Sequence, residues 1–375
     1  MSRSIRAVAL VLGLSLALAA CGSSSPSSSS ATTKPGDPLT VGFIYVGPKD
    51  DYGYNQAAYE GSKAMEKATG VKVLQAENVP ETAEAEQVMQ NMIDKGAKLI
   101  FATSYGHLEF AQNLAAKNPD VTFVHQGGLE GDKKLDNVGT YFGTVYEPVY
   151  LAGIAAGKAT KSNKLGYIYA FPIPQTLANI NAFTLGAQSV NPKATTTTIS
   201  TGSWCDPSVQ AQAVKSLINK GVDVISQHQD CTKTIIEATE AAGAMSVGYH
   251  HDASSLAPKG WITGSQWNWG PLYTDIVKTV KAGKFKTSKY NGDYRVGLQT
   301  GDNPFVQSPY GSMVTDETKA LIETAKKSFV DGGSPFKGPV KDQNGKVVVK
   351  AGDQPTYAQI ETMDYFVDGV VGKIG

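Results

Sequence analysis

A pattern of 13 residues is used twice in this chain. "MIDKGAKLIFATS" (Met92 to Ser104) and "LINKGVDVISQHQ" (Leu217 to Gln229) align without a gap at an offset of 125 residues. Each ends a helical run on Lys-Gly and then enters a strand, which makes Gly96 and Gly221 matched helix stops. Extended outward, the same register pairs "VKVLQAENVPETAEAE" with "ATTTTISTGSWCDPSVQ". Around the repeat, strand-like runs such as "LTVGFIYV", "VKVLQA", "AKLIFAT" and "VTFVHQ" alternate with helical ones, including a helix from about Leu108 to Lys117. Nearly every strand is a continuous apolar run. That rhythm predicts α/β architecture, with parallel sheets covered by helices on both faces. A repeat spaced at the size of one domain predicts two lobes, one from about Leu39 to Tyr141 and a second from about Lys164 to Ile262. A single large sheet is the alternative.

The chain has 375 residues, enough for two such lobes, and its 34 basic side chains balance 34 acidic ones with no long run of either sign. That balance carries no footprint for nucleic acid or for an anionic membrane surface. The N-terminus supplies a different link to the membrane. Residues 1–20 carry Arg3 and Arg6 and then an apolar run too short to span a bilayer, as an export signal does. Leu18 to Cys21 resembles the lipobox of bacterial lipoproteins, which implies a lipid on Cys21. Residues 21–38, rich in Ser, Pro and Gly, then read as a flexible tether. With Cys21 used for lipid, only Cys205 and Cys231 remain. In an exported chain they are expected to pair, worth roughly 3 kcal/mol for a loop of that length.

In open parallel sheets a ligand sits beyond the carboxyl ends of the strands, so two facing lobes would enclose one between their strand-end loops. Those loops, among them "GPKDDYGYNQ", "TSYGH", "AFPIP", "TGSWCDP", "QHQDC" and "YHHDAS", are rich in aromatic, amide and carboxyl side chains and poor in Lys and Arg. This chemistry suits a flat, neutral, hydrogen-bonding ligand. No GxGxxG follows the first strand, and neither a GxxxxGK[ST] loop nor a GxSxG elbow occurs, so no catalytic residue is assigned. The cluster His228, Asp230, Cys231, His250, His251 and Asp252 leaves metal binding as a rival, because His with carboxylate is metal chemistry.

"VGFIYVGPKDDYGYNQAAYEG", "LIFATSYG", "NVGTYFGTVYEPVYLAGIAAG", "AFTLGAQSVNP" and "GVDVISQHQDC", with the lipobox and tether, resemble the basic membrane protein family, whose members include purine nucleoside receptors of ATP-driven importers. The resemblance implies a two-lobed periplasmic-binding-protein fold, with lobe 1 formed by residues 39–143 and about 266–292, and lobe 2 by residues 144–265 and about 293–375. It implies a helix from about Leu272 to Lys281 in the return to lobe 1, and hinges near Thr140 to Glu147 and Ser265 to Pro271. It further implies a lipid-anchored monomer on the extracytoplasmic face of a bacterial membrane, without a cofactor or resident metal, serving an ABC permease. By position, Tyr54 and Trp204 match the rings that hold a purine. Asp51, Asn55, Ser104 and Tyr105 match its polar surroundings, Asp252 matches a ribose-binding Asp, and Asp230, in the strand-end loop "QHQDC", is a further ligand-binding candidate. Where those receptors carry a ribose-binding Lys, this chain has Trp267. The exchange points to a free base, adenine foremost, over a nucleoside.

Overall fold

The computed structural model describes residues 39–299 and 304–374. Residues 1–38, with Cys21, the export signal and the tether, lie outside the described residues. The first sheet is built from β1 (Thr40–Ile44), β2 (Lys72–Ala76), β3 (Ala97–Ala102), β4 (Thr122–Gln126) and β5 (Val138–Gly143), with helices α1 (Tyr54–Thr69), α2 (Ala83–Asp94) and α3 (Leu108–Lys117) between them. The second half repeats this order. Helix α4 (Tyr146–Ala159) leads into β6 (Lys164–Tyr169), α5 (Pro174–Val190), β7 (Thr195–Ser200), α6 (Pro207–Asn219), β8 (Val224–His228), α7 (Lys233–Ala241), β9 (Met245–His250) and β10 (Trp261–Trp267). The chain then forms α8 (Gly270–Lys281), β11 (Asp293–Val296), β12 (Phe305–Gln307), α9 (Asp316–Val330), the ribbon β13 (Val340–Lys341) and β14 (Val347–Val349), α10 (Tyr357–Ile360) and β15 (Val370–Val371).

The strand orders are β11-β5-β4-β3-β1-β2 and β12-β10-β9-β8-β6-β7-β15. Every pairing within these sheets is parallel except β10 with β12. The two sheets therefore share one topology over five strands each, and the repeat read from the letters is a repeat of architecture. Gly96 and Gly221 hold φ +94 and +78, the left-handed geometry that closes a helix at low steric cost. Central strands are buried on both faces, as in VGFI of the first and YIY of the sixth, because helices cover both sides. Strand β7, "TTTTIS", which lies next to the short edge strand β15, is polar and half-buried, so its pattern is not an apolar run.

The polypeptide crosses between lobes at Gly143–Tyr146, at Trp267–Gly270, and a third time between Val296 and Phe305. Two boundaries implied by the resemblance are corrected here. Strand β10 keeps the chain in lobe 2 to Trp267, and β11 pairs with β5, so Asp293–Val296 belongs to lobe 1. The first two crossings pack directly on each other. A Cβ on Gly143 would stand 2.6 Å from the Phe305 ring and 2.7 Å from the Trp267 ring, so only glycine fits there. The cysteine pair is joined, Cys205 to Cys231, with Cα atoms 5.3 Å apart. Among the described residues no helix is long and apolar enough to cross a membrane.

Candidate functional site

A cleft with an empty volume of about 330 Å³, part of it open to solvent, lies between the lobes. Tyr54, Ser104, Tyr105 and Phe142 line it from lobe 1, and Ile173, Gln175, Trp204, His228, Asp230 and His250 from lobe 2. Tyr54 follows β1 while Ser104 and Tyr105 follow β3; Ile173 and Gln175 follow β6 while Asp230 follows β8. In each sheet these strands are neighbours from which the chain winds outward in opposite directions, the crevice where such folds bind ligands. Among the described residues no Lys or Arg lines the cavity.

Asp51 and Asn55 stand behind this lining. The Asp51 carboxylate accepts from the amides of Gly53, Asn55 and Gln56 at 2.8, 3.1 and 2.9 Å, closing the first turn of α1 in place of an ordinary N-cap side chain. Asn55 Nδ2 donates to Asp51 at 2.8 Å and, across the lobes, to Asp230 at 2.9 Å. Burial lifts both carboxyls above the ordinary range. Asp51 is opposed by several donors, whereas Asp230 accepts only from Asn55 and also feels the Asp51 charge, so Asp230 is the carboxyl that holds a proton most readily.

Other bonds clamp the lobes together. Thr232 donates from its amide to the Asp51 carbonyl at 3.0 Å and from Oγ1 to the Tyr52 carbonyl at 2.7 Å. Glu81 accepts from Ser104 Oγ (2.6 Å) and the Gly106 amide (2.7 Å) of its own lobe, and from Trp204 Nε1 of the other at 3.1 Å. Glu81 thus fixes the indole that lines the cavity. The disulfide and a bond from the Asp230 amide to the Trp204 carbonyl (2.9 Å) hold the Trp204 and Asp230 loops together.

The two cavity histidines are uncharged. Burial pushes His228 down to about 3, and burial with the nearby His228 pushes His250 well below its ordinary value. Their rings lie 5.5 Å apart, but the metal cluster envisaged from sequence is not assembled. Cys231 is in the disulfide, His251 reaches out to Glu60 at 3.2 Å, and no group of three His, Cys, Asp or Glu able to hold a metal occurs among the described residues.

Of the residues singled out from sequence, Tyr54, Ser104, Tyr105, Trp204 and Asp230 share the cavity lining. Asp252 does not reach it; its Oδ1 accepts from the Ser254 amide at 2.9 Å and forms a turn. Trp267 also lies outside the lining, with ring centroids 4.2 Å from Trp269, 4.3 Å from Phe305 and 5.1 Å from Phe142. It reaches the site only through Phe142 and through a 2.8 Å bond from Nε1 to His250 Nδ1. Glu81 and Phe142 had not been singled out. Glu81 lies near the end of the loop between β2 and α2, and Phe142 sits inside a strand whose end carries no polar loop.

The model of one family, ABC transporter substrate-binding protein PnrA-like, matches residues 39–331. The chain is 37% identical over 339 residues to a purine-binding protein of Brucella abortus, covering 90% of this chain and 94% of that one. It is 27% identical to an ABC transporter nucleoside-binding protein of Lactococcus lactis, over 76% of this chain and 84% of the other. A solute-binding protein of an ABC transporter system from Aeropyrum pernix superposes with a TM-score of 0.69 at 17% identity, over 87% of this chain and 96% of that one. At that identity the likeness carries the fold alone, the two-lobed type I periplasmic-binding-protein architecture.

Proposed function

Because the chain belongs to the PnrA-like family of ABC transporter substrate-binding proteins, we propose that it captures a purine between its lobes, with a free nucleobase such as adenine preferred over a nucleoside. The observation that carries this reading is the cavity itself: aromatic rings from both lobes, two uncharged histidines and a carboxyl, with no cation to meet a phosphate or a carboxylate. Stacking on Tyr54 and Trp204 supplies about 1–3 kcal/mol per ring for a nucleobase. The preference for a base follows from the crowded hinge, where Trp267, Trp269 and Phe305 fill the corner behind Phe142 and offer no ammonium for ribose hydroxyls.

The Asn55 to Asp230, Thr232 to Asp51 and Trp204 to Glu81 bonds all join groups of opposite lobes, so each favours the closed form over an open one. In the proposed cycle a purine biases that equilibrium, and the closed monomer, tethered to the extracytoplasmic face of the membrane through Cys21, docks on an ABC permease. Calorimetry against adenine, guanine, hypoxanthine, adenosine and inosine tests the ligand. Tight binding of a base with much weaker binding of its nucleoside is expected. Nucleosides binding tightly alone would sink the preference for a base, and silence from all five would sink the purine.

A further inference from the structure

An indole N–H can donate a hydrogen bond and cannot accept one. At 2.8 Å from Trp267 Nε1, the Nδ1 of His250 must therefore present a lone pair, and an uncharged ring so held carries its proton on Nε2. Nε2 has no partner among the described residues, yet it is not among the polar atoms sealed off by protein, so it opens onto the cavity that the ring lines. The backbone at His250 is held at φ +73, a left-handed conformation that few side chains adopt without support. Tyr249 against one side (ring centroids 3.6 Å), Tyr54 edge-on at 5.0 Å and the Trp267 bond provide that support. Non-glycine residues held in this region of backbone space cluster at ligand and active sites.

We infer that His250 is a specificity-determining donor and Trp267 its positioning residue: the indole locks the imidazole as the Nε2–H tautomer, which selects a ligand presenting an acceptor, a ring nitrogen or a carbonyl, at that corner. A ligand amine or ring N–H there would meet N–H with N–H and leave both unpaired in a closed site. The inference rests on the cavity being the purine site and adds which edge chemistry that site reads. It also gives Trp267 a task other than filling the space of a sugar.

Two measurements test it, one independent of any ligand. In the ligand-free protein, nitrogen-15 correlation spectra of the His250 ring should show a protonated Nε2 and a bare Nδ1, and Trp267→Phe, which keeps the ring stack, should release a mixture of tautomers. A protonated Nδ1, or an unaltered tautomer in W267F, overturns the inference. In the second, adenine is compared with its 1-, 3-, 7- and 9-deaza analogues, each with C–H in place of one ring nitrogen. One analogue should bind the wild type at least about tenfold more weakly than adenine, and the gap should fall within about threefold in His250→Phe. No weakened analogue, or a gap that H250F leaves intact, overturns the inference while adenine binding itself stands. Failure of every purine to bind would remove the ligand reading, and the spectra would still decide the tautomer.

Discussion

His125 and His250 are separated by the repeat offset, sit at the ends of equivalent strands in the two lobes, and have been put to different uses. His125 is sealed in lobe 1 with Nε2 bonded to the Ser104 carbonyl at 2.7 Å, and burial pushes it down to about 3. His250 has its Nδ1 tied to Trp267, its backbone strained and its Nε2 toward the cavity. The same contrast runs through the lobes. Lobe 1 lines the site with Tyr54 at the start of α1, Ser104 and Tyr105 after β3 and Phe142 within β5, and spends Asp51 on holding the turn before α1, whereas lobe 2 brings six lining residues and braces them with a disulfide. A duplicated topology dictates where the strand-end loops stand. What each loop does is decided by the partners that its side chains find.

Breaking the brace should have the largest effect. Replacing Cys205 and Cys231 together by serine should lower unfolding stability by about 3 kcal/mol in chemical denaturation and weaken ligand binding by loosening Trp204 from Asp230. Next comes stacking: Trp204→Ala should cost about 1–3 kcal/mol of binding, roughly 5- to 150-fold in calorimetry, and Tyr54→Ala a similar amount. An equal effect from the two would make the lobes equal partners; a larger one at Trp204 would sharpen their difference. The histidines then separate stability from selectivity. His125→Ala leaves the buried Ser104 carbonyl without that donor and should cost about 1–3 kcal/mol of folding stability. Its ranking of adenine against the deaza analogues should stay as in the wild type.

The smallest effect is the pH dependence of the His251–Glu60 contact, which spans the lobes at the rim. Burial presses His251 down, but the hydrogen bond and charge of Glu60 outweigh it and the net shift is upward; the same bond lowers Glu60. A raised His contributes below its ordinary value of 6.5 and is lost as pH rises through its folded value, while a lowered Glu contributes above 4.5 and is lost as pH falls. The contact should thus favour closure most between those two values. Being half in water, it should be worth less than about 1 kcal/mol, seen as a small excess of wild-type over His251→Ala affinity near pH 5.5 that disappears near pH 8.

The amino-acid order by itself determined the α/β rhythm, the two matched halves, the glycine stops at Gly96 and Gly221, the pairing of Cys205 with Cys231, and the loops that would face one another. These are local: apolar periodicity, helix capping and turn chemistry act over a few residues. Tertiary structure alone decided the return of Asp293–Val296 to the first sheet, the reach of Glu81 to Trp204 across 123 residues, and the placement of Trp267 behind His250 rather than in the cavity. Each of these depends on a contact between distant segments or on a backbone angle such as φ +73, and neither leaves a mark on the neighbouring letters.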